Sequence, residues 1–219
     1  MLGLDDRLGR TAELPLRLLA LGAHSDDAEI GAGGTVLRLL AERPHVEVRW
    51  VVFTGAGTPR EEEARQSAAA FLTGAARAEV DVLGFRDGFL PFSGVEVKDH
   101  FEAALKGYTP HLVLTHARDD RHQDHRLVSD LTWNTFRGAP IVAEYEIPKW
   151  DGDLGQPNGY VTLDEATLAR KSDLLLAHFP SQAAKPWFTP DTFRALARLR
   201  GVEAAAPFAE AFTCRKLVW

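Results

Sequence analysis

Cys214 is the only cysteine in this 219-residue chain, so no intrachain disulfide and no cysteine-rich metal site can form. A reducing compartment, the cytoplasm, is the expected location. An excess of positive charge is also lacking: 25 Lys and Arg stand against 31 Asp and Glu, for a formal net charge of −6. No global positive field is available to gather nucleic acid or anionic lipid. Long apolar runs are missing as well. The first, Leu16 to Ala23, is interrupted by Arg17 and falls far short of the ~20 residues that span a bilayer. With Asp5, Asp6 and Glu13 ahead of it, neither a signal peptide nor membrane insertion is expected. What remains is ordinary globular usage, 45% hydrophobic and 26% charged. One domain over residues 1–219 is expected, with residues 1–14 as an exposed polar lead-in.

Apolar strand-like runs alternate with helical periodicity along that domain. Strands are expected at 16–21, 46–53, 79–85, 112–115 and 141–146, and helices at 28–41, 61–72, 97–106 and from the 116–125 run to about 136. A long turn-rich loop, 149–159, follows. Helices at 164–178 and 191–199 and a closing strand at 208–217 complete the reading. Strand–helix alternation of this kind implies right-handed crossovers and a mainly parallel sheet covered on both faces, a Rossmann-like three-layer α/β sandwich.

Ligands of open α/β sheets bind beyond the carboxyl ends of the strands, and two loops there have unusual composition. The first contains His24-Ser-Asp-Asp27. The second runs His116-Ala-Arg-Asp-Asp120-Arg-His-Gln-Asp-His125, with His122 and His125 one helical turn apart. Two histidines and a carboxylate from separate loops leave positions open for water and substrate, as catalytic metal sites do. His24, Asp27 and His125 are therefore the expected ligands. Acidic helix caps are the ordinary explanation for a single Asp at such a place. They do not account for histidines clustered in both loops.

At these residues the chain resembles the PIG-L/LmbE-like family of zinc-dependent N-acetylglucosaminyl deacetylases. Ala23-His-Ser-Asp-Asp27 and His122-Gln-Asp-His125 match its two hallmark segments, with Ser25 and Gln123 in place of the family's prolines. Weaker matches are Thr54-Gly-Ala-Gly57, Arg60 with Glu63, Arg86-Asp-Gly88, Arg200-Gly201 and Ala209-Glu-Ala-Phe212. The resemblance implies zinc on His24, Asp27 and His125, and Asp26 as general base. It implies His122, as an imidazolium oriented by Asp124, for stabilising the oxyanion. Arg60 and Asp87 would contact the sugar, and residues 145–219 would set specificity. The implied reaction removes the N-acetyl group of an N-acetylglucosamine conjugate, giving acetate and a free amino sugar. The same ligand set also suits Fe2+. The expected partner is a small amino-sugar conjugate, and a homo-oligomer is compatible with the sequence.

Other readings compete. A metal-dependent phosphoesterase would need bridging carboxylates such as Asp119, Asp120 and Asp124 for a second ion. A sugar-binding homologue without catalysis would not need Asp26 and His122. A dinucleotide site fails because Gly31-Ala-Gly-Gly34 lies inside a helix, where glycines allow close packing, and carboxylates occupy the turn that a pyrophosphate would need. His116, Asp119 and Asp120 read first as structural turn residues and second as groups orienting the metal histidines. Trp150 and Trp187 suit either sugar stacking or a small core under the long loop. The 179–182 segment and Lys185 are expected at the pocket rim. His45, His100, His111 and His178 have no partner at ligand spacing.

Overall fold

A computed structural model describes residues 15–139 and 141–216; the lead-in 1–14 and the end of the expected closing strand at Leu217 lie outside them. Strand β1, Leu16–Gly22, is buried on both faces. Leu16, Leu18 and Ala20 join one core and Leu19 and Leu21 the other, as the period of two requires. The chain continues through helix α1 (Asp27–Glu42), β2 (Val46–Thr54), α2 (Pro59–Phe71) and β3 (Arg77–Phe85). A 3-10 turn at Leu90–Ser93 leads into α3 (Gly94–His100), which ends in a π-helical turn at Phe101–Leu105. Then come β4 (Leu112–His116), α4 (Gln123–Thr135), β5 (Ile141–Tyr145) and β6 (Gly159–Leu163). Helix α5 (Glu165–His178), a 3-10 turn at Pro180–Gln182, α6 (Pro190–Glu203) and β7 (Phe208–Thr213) complete the fold.

The strands form one sheet in the order β3-β2-β1-β4-β5-β7-β6. Strands β1 to β5 are mutually parallel, and β7 runs antiparallel to both β5 and β6. Residues from α1, α2, α5 and α6 cover one face, and residues from α3 and α4 the other. This is the expected three-layer α/β sandwich, with one addition. Gly159–Leu163, of which only Gly159 falls in an expected element, the end of the 149–159 loop, forms the edge strand β6 by pairing with β7. After β1 the chain turns first toward β2 and β3, then returns to place β4 on the other side of β1. The loops that leave β1 and β4 therefore start side by side at a topological switch point.

The glycines of α1 serve packing. A Cβ at Gly31 would lie 2.2 Å from Tyr145 Cδ2, at Gly33 2.6 Å from Phe71 Cε1, and at Gly34 2.6 Å from Leu163 Cδ1. Beside them sits a buried ion pair. Lys171 Nζ donates to Glu210 Oε1 (2.6 Å) and to the Ile30 carbonyl (2.6 Å). Glu210 also accepts from Gly34 N–H (2.8 Å), Thr35 N–H (2.6 Å) and Thr35 Oγ1 (2.6 Å). The Glu210 of Ala209-Glu-Ala-Phe212 thus anchors the helix that carries Asp27. Glu210→Ala leaves Lys171 without its counter-ion and takes the carboxylate acceptor from two backbone amides and the Thr35 hydroxyl, so a loss of about 3–5 kcal/mol is expected. Urea denaturation of the variant checks this; a change below about 1 kcal/mol would mean that water replaces the carboxylate fully.

Candidate active site and metal centre

The site grows from the first turn of α1. Asp26 stands at the N-cap position yet makes no capping bond with its side chain, so the ordinary role of a carboxylate there is not the one it plays. Asp27, one residue on, turns Oδ2 back to accept from His24 N–H (2.6 Å). The same oxygen lies 3.2 Å from His24 Nδ1 and 3.5 Å from His125 Nε2, while His24 Nδ1 and His125 Nε2 are 3.1 Å apart. A tetrahedral ion with bonds of about 2.0–2.2 Å sets its ligand atoms about 3.3–3.6 Å from one another. The edges of 3.1, 3.2 and 3.5 Å come within about 0.2 Å of that range. A donor nitrogen of His122 joins those of His24 and His125 within 4.8 Å.

Outer contacts fix which atoms face that point. Asp120 Oδ2 lies 2.9 Å from His125 Nδ1, which places the ring hydrogen there and leaves the Nε2 lone pair toward Asp27. Asp120 Oδ1 accepts from His122 N–H (2.7 Å), and Lys149 Nζ lies 3.0 Å from Asp120 Oδ2. His116 is fully buried and stacks on His125 with ring centroids 3.9 Å apart. Its Nε2 accepts from Ala23 N–H (2.9 Å) and sits 3.2 Å from Asp27 Oδ2. Asp120 and His116, read first as turn residues, thus hold the histidine and carboxylate donors in place. The Asp-x-His-x-x-His spacing is the one sequence signal for Asp120, and it does not reveal which ring the Asp meets; His116 is marked only by its place at the head of the 116–125 loop. Asp119 is exposed.

The remaining site residues converge on the same corner. Arg60 Nη2 donates to Asp26 Oδ1 at 2.7 Å. His122 caps α4 through Nδ1, which accepts from Asp124 N–H (3.3 Å), so its neutral ring carries hydrogen on Nε2. The Asp124 carboxylate points elsewhere. It accepts from Gly88 N–H (2.7 Å) and Leu90 N–H (3.1 Å), and Oδ2 lies 3.2 Å from His24 Nε2. Asp87 Oδ1 is 3.1 Å from the same His24 nitrogen. Asp124 therefore ties the 88–90 turn to His24, and what it gives His122 is a backbone N–H.

Burial and charge act together here. Burial alone would lower the His24 pKa, but the carboxylates of Asp27, Asp124 and Asp87 outweigh it and raise it well above the ordinary value. Burial opposes ionisation of Asp27, yet His125, His24 and His116 hold it well below the usual carboxylate range. Asp26 is pushed up by burial, with the Arg60 guanidinium pulling against that shift. Burial and the rings of His125 and His24 push His122 down, the same direction as the neutral ring that its Nδ1 capping bond requires and opposite to the imidazolium that the resemblance implies. So much negative charge around three convergent donors suits a cation.

These groups open into a cavity of about 210 Å³. Its lining includes Asp26, Arg60, Asp87 and His122, joined by Trp150 and Trp187 from the C-terminal third. Lys185 and Asp151 also reach it, whereas the 179–182 segment does not line it. Glu63 instead receives Ser181 N–H (2.9 Å) and Oγ–H (2.6 Å), fastening that segment to α2. His111 serves the strand edge, where Nδ1 accepts from Arg17 N–H (2.9 Å).

Comparison with known proteins bears on this arrangement. A family model described as PIG-L, GlcNAc-PI de-N-acetylase, matches residues 19–136, which include both loops. An uncharacterised deacetylase of Escherichia coli K12, YaiS, is 29% identical over 154 residues, 66% of this chain and 81% of its own. The conserved protein TT1542 of Thermus thermophilus superposes with a TM-score of 0.71 at 24% identity, covering 93% of this chain and 96% of that one. The N,N'-diacetylchitobiose deacetylase of Pyrococcus horikoshii gives 0.67 at 22% identity over 96% and 89%. At these identities the two structures bear on the fold.

Proposed function

The chain belongs to the PIG-L (GlcNAc-PI de-N-acetylase) family, and on that premise we propose that it is a metal-dependent N-deacetylase acting on an N-acetylglucosamine-type conjugate. The observation that carries this reading is the triangle of His24, Asp27 and His125 donors with edges of 3.1–3.5 Å, beside the buried Asp26 in one cavity. His24, Asp27 and His125 would hold the ion, zinc in our reading, although the donor set also suits Fe(II). A divalent cation there supplies Lewis acidity, which activates water and polarises a carbonyl.

The residues around it supply the rest. Asp26, its pKa raised by burial, takes the proton of the water that attacks the acetamide carbon. The carbonyl oxygen gains negative charge as the tetrahedral centre forms, and His122 Nε2–H is the donor that meets it. Asp124 holds the 88–90 turn and the His24 ring, and its backbone N–H fixes the His122 tautomer. Arg60 keeps Asp26 oriented and, with Asp87, contacts the sugar hydroxyls. The C–N bond then breaks as the nitrogen receives the proton that Asp26 took from the water, and acetate leaves with the free amine. Residues 145 onward set the specificity through Lys149, Trp150, Lys185 and Trp187.

This reading leaves little carboxylate for a second ion. Asp120 is engaged by His125, His122 and Lys149, and Asp124 by two amides and His24. The test is mass spectrometry of a panel of N-acetylhexosamine conjugates, with acetate measured and metal counted. Loss of one acetyl group by enzyme holding about one metal per chain, and its disappearance on chelation, is the expected result. Two metals per chain, or release that survives chelation, would overturn it.

A further inference from the structure

Lys149 is a buried cation beside the site. It follows β5 in the long loop that leads to β6, outside the residues 19–136 that the family model matches. Lysine is almost never buried unless paired, yet this side chain is 8% exposed. Three carboxylates surround its ammonium: Asp120 Oδ2 at 3.0 Å, Asp151 Oδ2 at 4.0 Å, and Asp153 Oδ2 in direct contact. The charge is thus committed within the protein, and the stem is what Lys149 offers to the cavity that it helps to line.

What the ammonium meets matters more than its burial. Asp120 is 4% exposed, and a carboxylate so buried needs a partner of opposite charge. Its Oδ2 is shared between Lys149 Nζ and His125 Nδ1 (2.9 Å), while Oδ1 accepts from His122 N–H (2.7 Å). A histidine that ligates through Nε2 is neutral, so Lys149 is the group that offsets the charge of Asp120. Arg126 nearby donates to the Asp120 backbone carbonyl instead (3.1 Å). Asp153 completes a clasp, accepting from Arg121 N–H (2.7 Å) as well as from Lys149. Lys149 also stands in a wall. With Ile147 it lines both the site cavity and a neighbouring cavity of about 250 Å³. Without it, water from either side reaches Asp120 Oδ2 and competes for the bond to His125.

We propose that Lys149 is a positioning residue of the metal centre: clasped by Asp153, it holds Asp120, and through the two oxygens of Asp120 it sets the His125 ring and the His122 backbone together. The role rests on the reading of His24, Asp27 and His125 as metal ligands. It needs no particular substrate, because the clasp lies behind the donors and its ammonium has no charge left to offer one.

Zinc affinity of the full chain, measured by competition with a chelator, is the readout. Lys149→Met, which keeps the stem and removes the charge, is expected to weaken zinc binding about ten-fold, the lower end of what losing an outer partner of a metal ligand costs. Asp120→Asn should weaken it more. Because Lys149 acts through Asp120, the double variant should bind zinc no more weakly than Asp120→Asn alone. At saturating zinc, kcat of Lys149→Met should fall with KM little changed. Where Lys149→Met does not fold, Asp153→Ala, which removes only the outer anchor, takes its place and should shift zinc affinity in the same direction. Wild-type zinc affinity in whichever variant folds, additive losses in the double variant, or a raised KM at unchanged zinc affinity would overturn the role, the last by making Lys149 a substrate contact. Weakened zinc binding in a chain that releases no acetate would count against the deacetylase reading and leave the clasp standing.

Discussion

Asp26→Asn is expected to keep its metal and its fold while losing about 10²–10⁴-fold in turnover, the usual contribution of a positioned general base. The substitution is nearly isosteric. The amide oxygen it introduces can still accept from Arg60, whose Nη2 now meets Asp26 Oδ1 at 2.7 Å. The Asp26 side chain makes no capping bond to α1, so helix stability is not at stake. What disappears is the proton acceptor. Because the loss falls on the chemical step, it should appear in kcat with KM little changed. Acetate release measured beside metal content and thermal midpoint separates the outcomes. A variant with full metal and near-normal kcat would remove Asp26 from the mechanism; one that lost metal would make it a structural support for the donors.

The adjacency that makes this prediction possible was visible in the sequence, and so was most of the frame. Leu16-Arg-Leu-Leu-Ala-Leu21 reads as a short buried strand, and the polar runs after it and after Leu112-Val-Leu-Thr115 then fall at the strand ends. Other parts were not legible because they depend on partners far along the chain. Four of the five residues of β6, Gly159–Leu163, are half-buried, with the weak pattern of an edge strand, and their identity as strand comes from pairing with β7, which lies beyond two intervening helices. The role of Asp120 turns on the rotamers that bring Oδ2 to His125 and to Lys149. Spacing in the 116–125 loop cannot separate that from a solvated turn. The Asp124 carboxylate is the reverse case. The resemblance implies that it orients His122, and the amides of Gly88 and Leu90 claim it instead. The charge on His122 is likewise implied by the resemblance alone; burial and the two neighbouring imidazoles push its pKa down.

Asp27→Ala should give the opposite pattern to its neighbour: loss of metal first, and of activity only as a consequence. Asp27 is the one anionic donor in the proposed triangle, and its Oδ2 is the atom on which His24 Nδ1, His125 Nε2 and His116 Nε2 converge at 3.2, 3.5 and 3.2 Å. Removing an outer partner of a metal ligand typically costs about 10–100-fold in affinity, so loss of the charged ligand itself should exceed about 100-fold. Two further readouts follow from linkage. Wild-type protein at a metal concentration of roughly 100 times Kd should gain about 2.7 kcal/mol of stability, and Asp27→Ala at the same concentration should gain almost none. The metal-free variant should also lose the loop geometry that His24 N–H now fixes by donating to Oδ2 at 2.6 Å. Competition with a chelator and thermal melts with and without zinc measure both effects. If Asp27→Ala holds zinc as tightly as wild type, the ion is not bound by this triangle and the site is built on other donors. If it loses zinc while Asp26→Asn retains it, two adjacent carboxylates divide the work, one holding the ion and the other moving the proton.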